Sequence, residues 1–320
     1  MMTRSCGAVT KGIPSYMIHI IAIKGIIREI AMENGIVTKP SAWLYGKDRM
    51  SHVDELFMGW AVRILGEIRG ILDIETHYGY RGYLKKEAVW RCTPEDLKRR
   101  DESGQTVFIG SAFADILEEP DVHSRILYTL NRGSFLTKLP EVQKGYQKVR
   151  LADGKEGFVP CIFLEYRKES DEYLYDEKPE TYFLRQSKEN MFSKTEFQKS
   201  LIVRAKNYLG TQYRWAGKSA EGIDCSGFAF MCYLMNGIII YRDAKIKSGY
   251  PVHEIRIEQI EPGDLLYFPG HIAIYLGNLK YIHATGNEKS FGCVINSLSK
   301  KDADYRADLA ESILKAGSIW

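Results

Sequence analysis

Residues 210–228 read GTQYRWAGKSAEGIDCSGF, and the rest of the chain is best understood outward from them. A turn rich in glycine and small residues runs into DCSGF. Asp224 is a favoured helix cap, and Cys225 falls in the first turn of the helix that follows. That helix is expected over 224–236 (DCSGFAFMCYLMN), with Phe228, Cys232 and Met235 on one face and Gly237 ending it. Unpaired backbone N–H groups and the dipole at a helix N-terminus favour a thiolate over a thiol, and the thiolate is the nucleophilic form. Taken alone, the same residues equally describe a capped helix with a buried thiol.

Two histidines downstream change the balance. His271 opens the alternating run HIAIYLG and His283 lies in KYIHATG. The Gly277-Asn278 turn between them predicts a hairpin that sets the two strands side by side. A base and an orienting group on adjacent strands, facing a helix N-terminus, is the arrangement a Cys-His-X triad needs. Cys225 would attack a carbonyl carbon, His271 would take the thiol proton, and His283 would hold the His271 tautomer. Further strand-like runs, DLLYFPG and CVINSL, flank this pair. Upstream, 193–209 has helical spacing (Phe197, Leu201, Val203, Ala205, Tyr208) with a stop at Gly210. Helices followed by a run of strands predict an α+β domain.

The N-terminal half has a different character. Short β-type runs broken by turn residues fill 35–89, including WAVRILGEI, GILDIETHYGY and RGYLKKEAV, and suit a small antiparallel barrel. The plan repeats over 106–164, where residues 156–159 (EGFV) fall at the place that 81–84 (RGYL) hold in the first copy. DESGQ (101–105) is a short linker between the copies, and SDEYLYDEKP (170–179) is a polar, acidic connector out of the second. The second copy, over 106–166, resembles bacterial SH3-type domains, and the first does so more weakly.

With 320 residues, two or three domains are expected. The net charge of +3 gives no reason to expect nucleic acid or an anionic membrane as partner. The six cysteines form no C-x-x-C pair and no zinc-ligand spacing, so reduced thiols are expected rather than disulfides or a metal site. Cys92, Cys161, Cys232 and Cys293 are expected to be ordinary small buried hydrophobes. Residues 16–30 are apolar but interrupted by His19, Lys24, Arg28 and Glu29, which fits neither a signal peptide nor a membrane span. Residues 1–31 are therefore expected to be an extension ahead of a domain that opens near Met32, and a cytoplasmic location is expected.

The stretch 210–228, then PGD at 262–264, HIAIYLG and YIHATG, occurs in the order found in the NlpC/p60 family of bacterial cell-wall peptidases, and residues 200–298 resemble that family. The resemblance implies a papain-like fold and cleavage of amide bonds in peptidoglycan peptides, commonly that from γ-D-glutamate to a diamino acid. It implies Cys225 as nucleophile, His271 as base, His283 as third polar residue, and Tyr213 beside the Cys225 backbone N–H as oxyanion donor. Ala216-Gly217 stands where two glycines are usual. SH3-type modules ahead of such a domain resemble the γ-D-glutamyl-L-diamino-acid endopeptidases of the dipeptidyl-peptidase VI type, in which the first module closes one end of the cleft. A preference for stem peptides with a free N-terminal L-alanine is implied.

A free amine needs a carboxylate or hydroxyl partner. Asp243 matches the aspartate of a motif usually read Pro-Arg-Asp-Ser, with Tyr241 for the proline and Ala244 for the serine. Asp224, Ser226 and Trp215 are further cleft residues by motif position, and Glu55 with Tyr80, or equally Tyr78, would come from the first module. No metal or organic cofactor is implied. The expected partners are peptides of the L-Ala-γ-D-Glu-diamino acid type, with lysine or diaminopimelate at the third position left open. A secreted endopeptidase acting on intact peptidoglycan, a non-catalytic wall-binding protein and an acyl transferase are the alternatives. The expected organisation is an extension (1–31), SH3-like domains at 32–100 and 106–168, a linker (169–192), and a papain-like domain (193–320).

Overall fold

The computed structural model describes residues 33–176, 180–190 and 193–320; the extension expected at 1–31 lies outside them. Seven strands come first: β1 (Glu33–Val37), β2 (Ser41–Tyr45), β3 (His52–Phe57), β4 (Ala61–Ile68), β5 (Ile71–Thr76), β6 (Arg81–Lys85) and β7 (Val89–Cys92). Helix α1 (Pro94–Glu102) follows, opened by a reciprocal cap between Thr93 and Asp96 with Pro94 at its first position. Seven more strands come next: β8 (Thr106–Ile109), β9 (Phe113–Leu117), β10 (Ile126–Asn131), β11 (Phe135–Gln143), β12 (Tyr146–Arg150), β13 (Glu156–Pro160) and β14 (Leu164–Tyr166).

The strand orders are β3-β2-β6-β5-β4-β1-β7 and β10-β9-β13-β12-β11-β8-β14. Each strand of the second sheet is the one seven places later than its counterpart in the first, so one topology is used twice. The repeat extends to packing. A Cβ on Gly82 of β6 would stand 2.7 Å from the Tyr45 carbonyl oxygen on β2, and one on Gly157 of β13 would stand 2.7 Å from the Leu117 carbonyl oxygen on β9. Each copy needs a bare backbone where the closing strand crosses, which is why glycine sits second in both RGYL and EGFV.

The connector is more structured than its polarity suggests. It carries α2 (Glu172–Tyr175) and α3 (Tyr182–Asn190). Buried Arg167 binds Asp171 at 2.9 Å and Glu169 at 2.9 Å, and Arg100 of α1 also pairs with Asp171. Glu169 and Asp171 are thus neutralised inside the protein. Phe183 stacks on Tyr250 with ring centroids 4.6 Å apart.

The C-terminal part begins with α4 (Lys194–Lys206), capped by Ser193, burying Phe197, Leu201 and Ala205 and leaving Val203 on its exposed face. The short strands β15 (Lys218–Ser219) and β16 (Gly222–Ile223) lead into α5 (Cys225–Leu234), in which every residue but Ser226 is buried. Then come β17 (His253–Ile255), β18 (Leu265–Phe268), β19 (His271–Gly277), β20 (Lys280–Thr285), β21 (Gly292–Ser297), α6 (Ala307–Ala310) and β22 (Lys315–Ser318). The sheet runs β17-β22-β18-β19-β20-β21, with α5 packed on β19 and β20. Asn278 and Leu279, both at positive φ, make the expected hairpin turn. The fold is α+β, papain-like, behind two SH3-like barrels.

The three parts share their interiors unequally. The main core runs without a break from Leu56, Phe57, Trp60 and Tyr78 of the first barrel into Phe228, Phe230 and Met231 of α5. The second barrel has a further core around Val107, Ile116, Val149 and Val159, joined by Met58 of the first barrel, while its Phe108 and Phe135 belong to the main core.

Candidate active site

Cys225 is the first residue of α5 and only 6% exposed. Asp224 caps the helix, its carboxylate accepting from the Gly227 N–H at 2.5 Å. Gly227 has a separate reason to be glycine: a Cβ there would lie 2.4 Å from the Gly217 carbonyl oxygen. The tight turn before the cysteine and the glycine after it therefore form one packing unit. Ala216 adopts φ +62°, a left-handed conformation that costs a non-glycine residue about 1–2 kcal/mol.

His271, His283 and Asn296 run diagonally across β19, β20 and β21. Ile274 pairs with Ile282, which puts His283 opposite Ala273, two residues from His271 and on the same face. His283 pairs with Val294, two residues from Asn296. The side chains join accordingly: His271 Nε2 to His283 Nδ1 at 2.7 Å, His283 Nε2 to Asn296 Oδ1 at 2.9 Å, and Asn296 Nδ2 to the Asp304 carbonyl at 2.8 Å.

This chain fixes the tautomers. A carbonyl can only accept, so Asn296 presents its amide N–H₂ to Asp304 and its oxygen to His283. His283 then carries its proton on Nε2 and accepts on Nδ1, and His271 carries its proton on Nε2. The Nδ1 of His271 is left as a base.

Burial favours the neutral form of both rings, lowering His271 to about 3, helped by His283, and His283 to about 4 against the hydrogen bond it donates to Asn296. Burial also pushes the Cys225 thiol up to about 11, reinforced by the Asp224 carboxylate. The backbone N–H groups of Ile272 and Ser226 pull the other way and are outweighed. Desolvation thus works against the helix-end effect at the thiol and favours the neutral form of both rings.

Other expected residues gather nearby. Tyr213 is half-buried, with its ring 3.3 Å from where a Gly286 Cβ would be and edge-on to Phe291. Its hydroxyl is pushed well above its usual pKa by burial and then by Cys225 and Asp224. Trp215 is 69% exposed and donates its indole N–H to the His52 carbonyl of the first barrel at 3.1 Å. Tyr80 donates to Asp243 at 2.9 Å, and the two line a cavity of about 760 Å³ with Tyr241, Tyr250, Phe183 and Lys247. Tyr78 is fully buried and donates to Asp54 instead. Glu55 is buried as well, accepting from Ser41 at 2.6 Å and from the Lys218 and Ser219 N–H groups at 2.8 and 3.2 Å.

The centre of this network is Arg242, the arginine of the Tyr241-Arg-Asp-Ala244 motif, to which the sequence reading assigned no role. Arg242, 2% exposed, donates to Asp54 Oδ1 at 2.6 Å, to both Asp224 oxygens at 3.2 and 3.0 Å, and to Ser226 Oγ at 2.7 Å. Lys218 Nζ, fully buried, lies 3.0 Å from Asp54 and from Tyr78 Oη, over the rings of Trp60, Tyr78 and Phe230. Burial drives Asp54 upward, but Lys218 and Arg242 overcome it and keep the carboxylate below its usual range. Burial lowers Lys218 to about 8. Among the described residues no cluster of His, Cys, Asp or Glu is arranged to hold a metal ion.

A cysteine at the N-terminus of a buried helix, set against a sheet that bears a histidine with its own polar support, defines a papain-like cysteine peptidase. The chain belongs to the NlpC/P60 family, whose pattern matches residues 210–306. It is 35% identical over 295 residues to Dipeptidyl-peptidase 6 of Lysinibacillus sphaericus, covering 90% of this chain and all of that one. It is 31% identical over 188 residues to the γ-D-glutamyl-L-lysine dipeptidyl-peptidase of Bacillus subtilis strain 168, covering 55% of this chain and 53% of the relative. The crystal structure of an NlpC/P60 family protein from Bacillus cereus ATCC 10987 has the same fold at 17% identity, with a TM-score of 0.66 over 88% of this chain and 98% of that one.

Proposed function

We propose that this peptidase cuts the amide bond between γ-D-glutamate and a diamino acid in peptidoglycan stem peptides whose N-terminal L-alanine is free, and that it serves muropeptide recycling in the cytoplasm. The observation that carries the reading is the Tyr80–Asp243 hydrogen bond, a carboxylate and a phenol joined across the line between first barrel and peptidase. Such a pair suits an ammonium group. The names of the two sequence relatives, both dipeptidyl-peptidases, agree with removal of an N-terminal dipeptide.

In this reading Cys225 Sγ attacks the γ-carbonyl carbon while its proton passes to His271 Nδ1. The oxyanion takes hydrogen bonds from the Cys225 N–H and the Tyr213 hydroxyl. His271 returns the proton to the nitrogen of the departing diamino acid, leaving a thioester. Water then attacks the thioester, giving its proton to His271, and the thiol is restored as the dipeptide leaves. Because burial favours a neutral thiol and a neutral imidazole at rest, the first proton transfer accompanies the attack. Asp243 and Tyr80 hold the amine, Glu55 is taken up by Ser41 and the Lys218 and Ser219 N–H groups and braces the turn before Cys225, and Asp224, Ser226 and Trp215 border the cleft.

The test is hydrolysis of L-Ala-γ-D-Glu-diaminopimelate, and of the lysine analogue, beside N-acetylated copies. Cleavage confined to the free peptides, with a KM raised about 10- to 100-fold in Asp243→Asn, is the expected result. Equal cleavage of blocked and free peptides would point to a secreted wall endopeptidase. Cleavage of none, with turnover restored by an added amine acceptor, would point to acyl transfer.

A further inference from the structure

We propose that Asp54 of the first barrel is a positioning residue for the nucleophile, acting through Arg242, so that the peptidase site is incomplete without that barrel. The inference rests on Cys225 being the nucleophile.

The guanidinium of Arg242 grips both residues that flank Cys225: both oxygens of Asp224 on one side and the hydroxyl of Ser226 on the other. Its Nε is held by Asp54, 188 residues away in the chain. Asp54 in turn accepts from Lys218 and Tyr78, so its own direction is fixed by three donors. The planar fork transmits that direction, because an arginine held at Nε cannot swing its two terminal nitrogens independently. Asp54, Lys218, Arg242 and Asp224 form a closed set of two acids and two bases with at most 9% side-chain exposure. In such a set, removal of one member leaves an uncompensated charge on the rest.

The second barrel offers the contrast. It meets α4 through Glu165 and Arg204, a pair with 42% and 15% exposure whose donors and acceptors reach no residue next to Cys225. A detachable wall-binding module would dock in that looser way. Both barrels reach the main core, the second through Phe108 and Phe135; what distinguishes the first is Asp54, bonded to the arginine that holds both neighbours of Cys225.

The test is the charge-balanced double variant Asp54→Asn/Lys218→Met in the full chain, with Glu165→Gln as control for a loosened barrel contact. Turnover of the free tripeptide is read per folded molecule, counted by near-UV circular dichroism. The pH profile of Cys225 alkylation by iodoacetamide is read by peptide mass spectrometry. The double variant is expected to lose about 10- to 100-fold in kcat with KM within about threefold, and to shift the alkylation profile, while Glu165→Gln keeps both. Wild-type kcat and an unshifted profile in the folded double variant would overturn the inference. So would a variant that merely melts at lower temperature while its folded fraction turns over normally. Arg242→Lys, which keeps the charge and loses the fork, is expected to show the same kcat loss, and full activity there would equally overturn it. Cys225→Ala separates the layers: activity retained in that variant removes the nucleophile itself, independently of what Asp54 does.

Discussion

The Nε2 of His271 lies 2.7 Å from the Nδ1 of His283, and the proton between them belongs to His271 because Asn296 has already taken the Nε2–H of His283. Asn296 therefore sets the protonation of a ring it does not touch. Asn296→Leu is expected to lower kcat about 10- to 100-fold with KM within about threefold, since the tautomer rather than substrate contact is lost. Nitrogen-15 NMR of the imidazoles gives the independent readout: His271 shifts from one tautomer to a mixture. A variant with normal kcat and an unchanged His271 spectrum would show that β20 alone orients the pair.

Reactivity of the free thiol follows from the site's dryness. Burial pushes Cys225 up to about 11 and His271 down to about 3, which favours the neutral form of each at neutral pH. Alkylation of Cys225, followed by peptide mass because Cys161 is exposed, should keep rising through the alkaline range. A plateau reached below pH 7 would mean a preformed thiolate–imidazolium pair.

The close pass of Gly217 over Gly227 makes a sharp stability prediction. Gly227→Ala forces a Cβ to 2.4 Å from a carbonyl oxygen, and with backbone on both sides the clash is relieved only by moving the turn that presents Cys225. A loss of about 1–3 kcal/mol in urea unfolding is expected, with kcat falling more than the folded fraction does. Ala216→Gly acts oppositely: it removes the strain of φ +62° and should leave stability unchanged or raise it by up to about 1 kcal/mol. A folded, fully active Gly227→Ala would refute the packing argument.

Local signals carried most of the architecture. The Ser193 cap, the 3.6-residue spacing of α4 and the Asn278 turn each act within a few residues, and the paired glycines of RGYL and EGFV show by repetition, although each meets a strand far away in the chain. Helix α1 was legible too, in the Thr93-Pro94-x-Asp96 start, although DESGQ drew attention to its end instead. What the sequence hid was long-range pairing. Nothing in it links Asp54 to Arg242 or Lys218, because a buried ion pair between distant segments leaves no periodicity. The acidic run at 170–179 misled for the same reason at Asp171, whose charge looks solvated until Arg167 and Arg100 are seen to neutralise it. The depth of burial at Cys225, which opposes the helix-end effect on its thiol, is likewise a quantity sequence does not contain.

His77 bears on acid stability. It is fully buried beside Trp60, Tyr78 and Phe135, and neither ring nitrogen has a hydrogen-bond partner among the described residues. Burial lowers its pKa to about 3, with Arg167, Lys218 and Arg100 adding to the shift and Asp171 opposing it. Between pH 6.5 and about 3 the unfolded chain binds a proton at this residue that the folded chain refuses. Stability therefore rises with pH across that window and is lost as pH falls, by up to about 1.4 kcal/mol per unit for this group. His77→Leu, of similar volume and without polar atoms, should flatten the acid limb by close to one proton. At neutral pH it should leave stability unchanged or raise it by about 1–3 kcal/mol, since no unpaired nitrogen is then buried. Urea unfolding of variant and wild type at intervals from pH 4 to pH 7 supplies the comparison. An acid limb of unchanged slope in a folded variant would mean that His77 is not the group whose protonation opens the barrel.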